Sequence, residues 1–129
     1  MNYKFLLFLT IFSPLVMAQK PLVTIINKDK QIFSYSEQDI RNDVLLATDL
    51  LNVAIMKNNI SLMQKIVPVY ESMLNADPIL IDYAKAKIAN ARKDYVTAIT
   101  YYRKILAVNP KLNPVRIELA QMYFLDKQA

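Results

Sequence analysis

Asp39 and Asp43 stand four residues apart in a stretch whose apolar residues recur on a helical rhythm. That spacing stacks two carboxylates on one helix face, where they would hold a divalent cation or divide acid and base roles. The rest of the chain withholds every partner such chemistry needs. It has no histidine and no cysteine, which excludes imidazole bases, thiolate nucleophiles, disulfides and the common zinc, copper and haem sites together. A Ser-His-Asp triad cannot be assembled. With no other ligand type nearby, the two aspartates read as first-turn acids that complement a helix dipole. No catalytic residue, cofactor or metal site is expected, and the chain does not read as an enzyme.

The elements that would position any site are helical. At 129 residues there is room for one small domain. Glycine is absent, against an average near 7%. A β-rich fold would want glycine for primed turns and bulges, so the fold class is all-α. About five helices are expected after an N-terminal leader. "MNYKFLLFLTIFSPLVMAQK" has one early cation, Lys4, then an apolar run, then small residues in Val16-Met17-Ala18. That is a signal peptide over residues 1–18, cleaved after Ala18; the run is shorter than the roughly 20 residues of a membrane span. The product is expected to be exported, and with no cysteine it is not itself a lipoprotein. Losing Lys4 with the leader lowers the net charge from +5 to +4. Export leaves envelope components as partners and excludes nucleic acid.

Residues 19–35 lack a helical period and read as an extended arm with a short strand at Leu22–Ile26. A helix should begin near Ser36, where Ser36 and Asp39 have capping-box spacing, and run to Asn58-Asn59. Its apolar stripe is Ile40, Val44, Ala47, Leu50 or Leu51, Ala54 and Ile55. A second helix ends at Asp77-Pro78, with Pro68 inside to kink or open it. Three more follow, over "ILIDYAKAKIANA", "YVTAITYYRKILAVNP" and "PVRIELAQMYFLD".

Aligning Pro78 with Pro110 places Ile66 on Ala98 and Tyr70 on Tyr102, an offset of 32 residues. That is close to the 34 of a tetratricopeptide repeat (TPR) of antiparallel helix pairs. Ala86 and Ala89 are small where two helices must approach, "ARKD" makes the turn, and Tyr95, Ala98, Tyr102 and Ile105 form the packing face of the second helix. Lys85 stands where a large apolar residue is usual. Leu119, Ala120 and Tyr123 begin another unit, whose second helix is missing. Residues 36–129 are therefore expected to be a TPR-like helical domain with an incomplete last repeat.

Together, "NNISLMQKIVPVY", "YAKAKIANARKDYVTAITYYRKILAVNP" and "PVRIELAQMYFLDKQ" resemble the N-terminal periplasmic domain of the Slam proteins, the surface lipoprotein assembly modulators of Gram-negative bacteria. The likeness covers residues 36–129 and extends to the order of leader, arm, lone helix and repeats. It implies a domain that engages a surface lipoprotein client, or a periplasmic chaperone of that client, beside a barrel that moves lipoproteins across the outer membrane. No series of alternating strands for such a barrel is present, so it would be supplied in cis by a longer natural chain or in trans. The alternative is a free-standing periplasmic TPR adaptor in envelope assembly.

Repeat proteins bind along the surface lined by their first helices. By repeat position that surface presents Tyr83, Lys87 and Asn90 from one helix, and Ile117, Gln121 and Phe124 from the next. Aromatic rings, amides and one cation suit an extended peptide. The two-carboxylate clamp of some TPR domains is not matched, since Tyr83 occupies one of its positions. From Ile79 onward nine basic side chains face four acidic ones, an attraction for acidic clients or a solvated outer face.

Overall fold

A computed structural model describes residues 20–128, so the leader expected over residues 1–18 lies outside the described residues. The chain divides into two units between Asp39 and Ile40.

In the first unit, β1 (Pro21–Ile26) pairs antiparallel with β2 (Ile32–Ser36), Val23 opposite Tyr35 and Ile26 opposite Ile32. The expected strand is present, but the segment is a hairpin. The turn explains it: the Asn27 side-chain oxygen accepts from the Asp29 and Gln31 backbone N–H groups, both at 2.9 Å. An Asx turn of this kind reverses the chain without glycine, and Lys30 takes the left-handed position at φ 61°. A reciprocal capping box then forms: the Ser36 N–H donates to Asp39 Oδ2 at 2.8 Å, and the Asp39 N–H to Ser36 Oγ at 3.1 Å. It starts a single helical turn, α1 (Glu37–Arg41).

The long first helix expected from Ser36 is in fact broken. Asp43 adopts an extended backbone at φ −145°, and its carboxylate accepts from the Leu46 N–H at 3.1 Å, capping α2 (Val44–Met56). Asp39 and Asp43 thus cap different helices and share no face. A local side-chain bond outcompeted the continuous helical period.

The second unit stacks α2, α3 (Ile60–Glu71), α4 (Pro78–Ala91), α5 (Tyr95–Val108) and α6 (Asn113–Gln128). With α1 that makes six helices among the described residues. The hairpins α2–α3 and α4–α5 share one turn design. In the first, the Asn58 N–H bonds the Ile55 carbonyl and the Asn59 N–H the Ala54 carbonyl; in the second, Lys93 bonds Asn90 and Asp94 bonds Ala89. This is the paired closure of a Schellman motif, which needs a left-handed residue. Asn58 (φ 51°) and Lys93 (φ 60°) supply it in place of glycine. Asn59 and Asp94 then cap the following helices through their side chains.

These shared turns correct the 32-residue register. Matching Asn59 to Asp94 sets Met63, Val67 and Tyr70 on Ala98, Tyr102 and Ile105, all six buried. The proline alignment was off by nearly one helical turn, because the two prolines play different parts. Pro78 opens α4 at its first turn, while Pro110 lies in the link between α5 and α6. A three-residue slip on a helix returns to the same face, so the apolar pattern tolerated the error. The helix expected to stand alone before the repeats is the first half of a repeat.

Helix α3 runs through Pro68 and stops at Glu71, short of the expected Asp77-Pro78 end. Tyr70 organises the link that follows. Its hydroxyl accepts from the Asp77 N–H at 2.8 Å and bonds Thr48 Oγ1 at 3.0 Å, while Thr48 donates to the Val44 carbonyl at 2.7 Å. The core of the first hairpin includes Ala47, Leu50, Leu51, Ala54, Met63 and Ile66. In the second, Ala86, Ala89, Ala98, Tyr102 and Ile105 pack with Val115 and Met122 of α6. Small residues at the α4–α5 seam admit the Tyr102 ring, whose burial contributes about 2 kcal/mol of apolar transfer energy. Lys85, at its unusual position, pairs with Glu71 at 2.7 Å and lies 5.8 Å from the Tyr101 ring centre. The bond to Glu71 holds the Lys85 ammonium above the ordinary lysine range.

Candidate functional site

The site is built from three helices. Ala86 and Ala89 let α4 approach α5 closely, and the adjacent face of α4, with Tyr83, Lys87 and Asn90, reaches toward α6. Helix α6 anchors itself with Val115 and Met122, which leaves Ile117, Gln121 and Phe124 on its uncovered side. The six residues singled out from the sequence fall into two neighbouring groups.

The first group is a buried polar knot. Lys87 Nζ stands 3.2 Å from Glu118 Oε1 and 5.4 Å from the Tyr83 ring centre. The Tyr83 ring meets Tyr102 edge-on, centroids 6.1 Å apart. Burial, reinforced by hydrogen bonding and negative charge from Glu118, raises the Tyr83 hydroxyl well above the ordinary tyrosine range. Tyr102 is raised likewise, by burial first and then by the charge of Glu118. Both hydroxyls lie close enough to feel the carboxylate, yet Glu118 Oε2 is buried with no partner in full hydrogen-bond geometry among the described residues. Side-chain exposure is 14% for Lys87 and 24% for Glu118. Tyr83 and Lys87 therefore serve first to seat α6 on α4. Sequence reading overlooked Glu118, although it shares a stripe with Val115, Leu119 and Met122, where an acid among apolar residues signals a partner.

The second group is an open groove of about 530 Å³, lined by Asn90, Ile117, Ala120, Gln121, Phe124 and Leu125 among others. Four of the six expected residues meet here. Ile117 is 60% exposed and Phe124 64%. The side-chain amides of Asn90 and Gln121 have no hydrogen-bond partner among the described residues. Beside the groove, Ala120 and Tyr123 are exposed, whereas Ala86 and Ala89 at the same repeat positions are covered by α5. No group of three or more acidic side chains suited to a metal occurs among the described residues. None of the described helices is long and apolar enough to cross a membrane.

Residues 33–129 match the family model described as "Surface lipoprotein assembly modifier, N-terminal TPR repeats". The chain is 31% identical over 98 residues to a surface lipoprotein assembly modifier of Haemophilus influenzae (strain 86-028NP), covering 76% of this chain and 20% of that protein. It is 34% identical over 85 residues to a surface lipoprotein assembly modifier of Moraxella catarrhalis, covering 64% and 17%. Against surface lipoprotein assembly modifier 1 of Neisseria meningitidis serogroup B it is 31% identical over 101 residues, covering 78% and 20%. The chain thus spans about a fifth of the length of these relatives. No solved structure matches it.

Proposed function

The chain belongs to the surface lipoprotein assembly modifier family through its N-terminal TPR repeats, and from that premise we propose that it is a protein-interaction domain serving lipoprotein delivery to the outer-membrane surface. It acts in the periplasm, and transfer across the membrane is the work of a β-barrel supplied in cis or in trans. The groove between α4 and α6 receives the lipoprotein client, or a chaperone that escorts it. One observation carries this reading: Ile117 and Phe124, 60% and 64% exposed, share that groove with the side-chain amides of Asn90 and Gln121. Large apolar side chains held open to water beside directional hydrogen-bonding groups are the makings of a protein contact.

Retention of a purified surface lipoprotein by the immobilised protein tests the proposal. Ile117→Ser with Phe124→Ser removes the apolar anchors from positions that carry no core packing. Retention should fall at least about tenfold with unchanged circular dichroism. Equal retention by the parent and the double variant would sink the groove as the binding face.

A further inference from the structure

We propose that the outward face of α5 docks on the headgroups of an anionic phospholipid bilayer. None of the residues involved lines the α4–α6 groove, and the face is independent of whatever that groove binds.

Uneven charge is the first ground. Arg92 and Lys93 stand at the entry to α5, Arg103 and Lys104 on its exposed side, and Lys111 just past its end. None of the five has a carboxylate partner among the described residues. Between Asp94 and Glu118 the chain has no acidic residue. Asp94 is occupied as a cap: its two oxygens accept from the Thr97 N–H at 3.2 Å and from Thr97 Oγ1 at 2.7 Å. Glu118 is turned into the knot with Lys87. A surface that serves only for solubility intersperses the two signs, whereas this one sets five cations against one carboxylate. Four or more cations gathered in this way attract anionic headgroups, and each adds roughly a fivefold gain in partitioning.

The shape and the apolar residues of the face are the second ground. Val96, Thr100, Arg103, Lys104, Ala107 and Val108 are all exposed on α5. Val96 and Val108, 63% and 73% exposed, lie about 18 Å apart along the helix axis, with the two cations between them. Aliphatic tips beside long basic side chains suit the boundary between headgroups and acyl chains. An acidic segment held in water would answer the charge and leave both valines uncovered. The outer side of a helix is also convex, and the recess beside it, lined by Lys85, Arg92, Asp94, Thr97 and Tyr101 among others, measures only about 190 Å³. That is room for a headgroup, not for a length of polypeptide.

The first repeat supplies the contrast. With Asn59 matched to Asp94, Ser61, Lys65 and Pro68 of α3 take the places of Val96, Thr100 and Arg103. Helix α3 exposes Ser61, Gln64, Lys65, Pro68 and Glu71, one cation and one acid with no large aliphatic side chain. The basic and aliphatic face therefore belongs to α5 and is not built into the repeat framework.

Co-sedimentation of the purified protein with vesicles tests this, using phosphatidylethanolamine mixed with phosphatidylglycerol, and phosphatidylcholine alone. Binding should be confined to the anionic vesicles and fall at least about tenfold from low to high salt. Arg103→Gln with Lys104→Gln should weaken it about thirtyfold, and Val96→Ser with Val108→Ser about tenfold, both with unchanged circular dichroism. Lys57→Gln with Lys65→Gln removes the same charge from the first repeat and should cost less than about threefold. The groove variant, Ile117→Ser with Phe124→Ser, should bind vesicles as the parent does. Absence of binding, equal binding to phosphatidylcholine, or equal losses from the two charge-removing pairs would overturn the inference. So would loss of binding in the groove variant. Polyglutamate held as tightly as the vesicles, with no effect of the valine pair on either, would give the face to an acidic polypeptide and overturn it too.

Discussion

Replacing Lys87 by methionine keeps the length of the side chain and removes its charge, leaving the Glu118 carboxylate between α4 and α6 without its cation. At 3.2 Å the pair has a gross Coulomb attraction of about 5 kcal/mol at an effective dielectric near 20. Desolvation of both groups offsets much of this. Exposures of 14% and 24% let water reach part of the stranded carboxylate, so its penalty stays below that of a fully buried charge. The net loss comes to about 2 kcal/mol. In a domain of this size that lowers Tm by roughly 8–16 °C.

Urea unfolding followed by circular dichroism, with thermal melts alongside, measures the loss. The companion variant joins Lys87→Met to Glu118→Gln, which removes both charges but keeps a group able to bond the tyrosine hydroxyls. It should recover all but about 0.5–1 kcal/mol, because breaking one half of a buried pair costs more than neutralising both. A single variant within about 0.5 kcal/mol of the parent would refute the reasoning, and so would a double variant no more stable than the single.

The remaining expectations concern the same framework. Burial and Glu118 raise the hydroxyls of Tyr83 and Tyr102 in the folded state, so the native protein keeps protons that the unfolded chain loses above its tyrosine pKa near 10. Stability from these groups is therefore complete below about pH 10 and declines as pH rises further; ultraviolet titration of Tyr83→Phe and Tyr102→Phe against the parent should show each hydroxyl resistant until unfolding. Tyr70→Phe strands the Asp77 N–H and unties Thr48, and should lower the unfolding free energy by about 1–3 kcal/mol in urea. Lys93→Gly relieves a left-handed lysine at φ 60° and should raise stability by about 0.5–1 kcal/mol; Lys93→Ala, which keeps the Cβ, should not.

Much of this fold is legible in the sequence because its signals are local. Zero glycine, the Tyr95-Ala98-Tyr102-Ile105 stripe and the small pair Ala86 and Ala89 specify antiparallel helices before any contact is known. The failures share a cause. Asn27 and Asp43 redirect the chain through side-chain bonds to backbone that apolar periodicity does not register. Pro78 and Pro110 look alike in sequence, yet one starts a helix and the other sits in a link. At the site, Asn90, Ile117, Gln121 and Phe124 meet because repeat position alone orders them. Glu118 escaped because its role depends on Lys87, one repeat earlier, and on the depth to which α6 sinks against Tyr83 and Tyr102.

The Lys87–Glu118 pair also bears on how the groove behaves under load. A repeat stack bends by small rotations between neighbours, and a purely apolar seam lets helices slide by a fraction of an ångström at little cost. An ion pair with one buried oxygen does not tolerate that slide. It pins α6 against α4 immediately behind the groove, and so fixes the span from Asn90 to Gln121. A groove set in this way keeps its shape when the stack flexes, because the ion pair and not the apolar seam sets the spacing of its two walls.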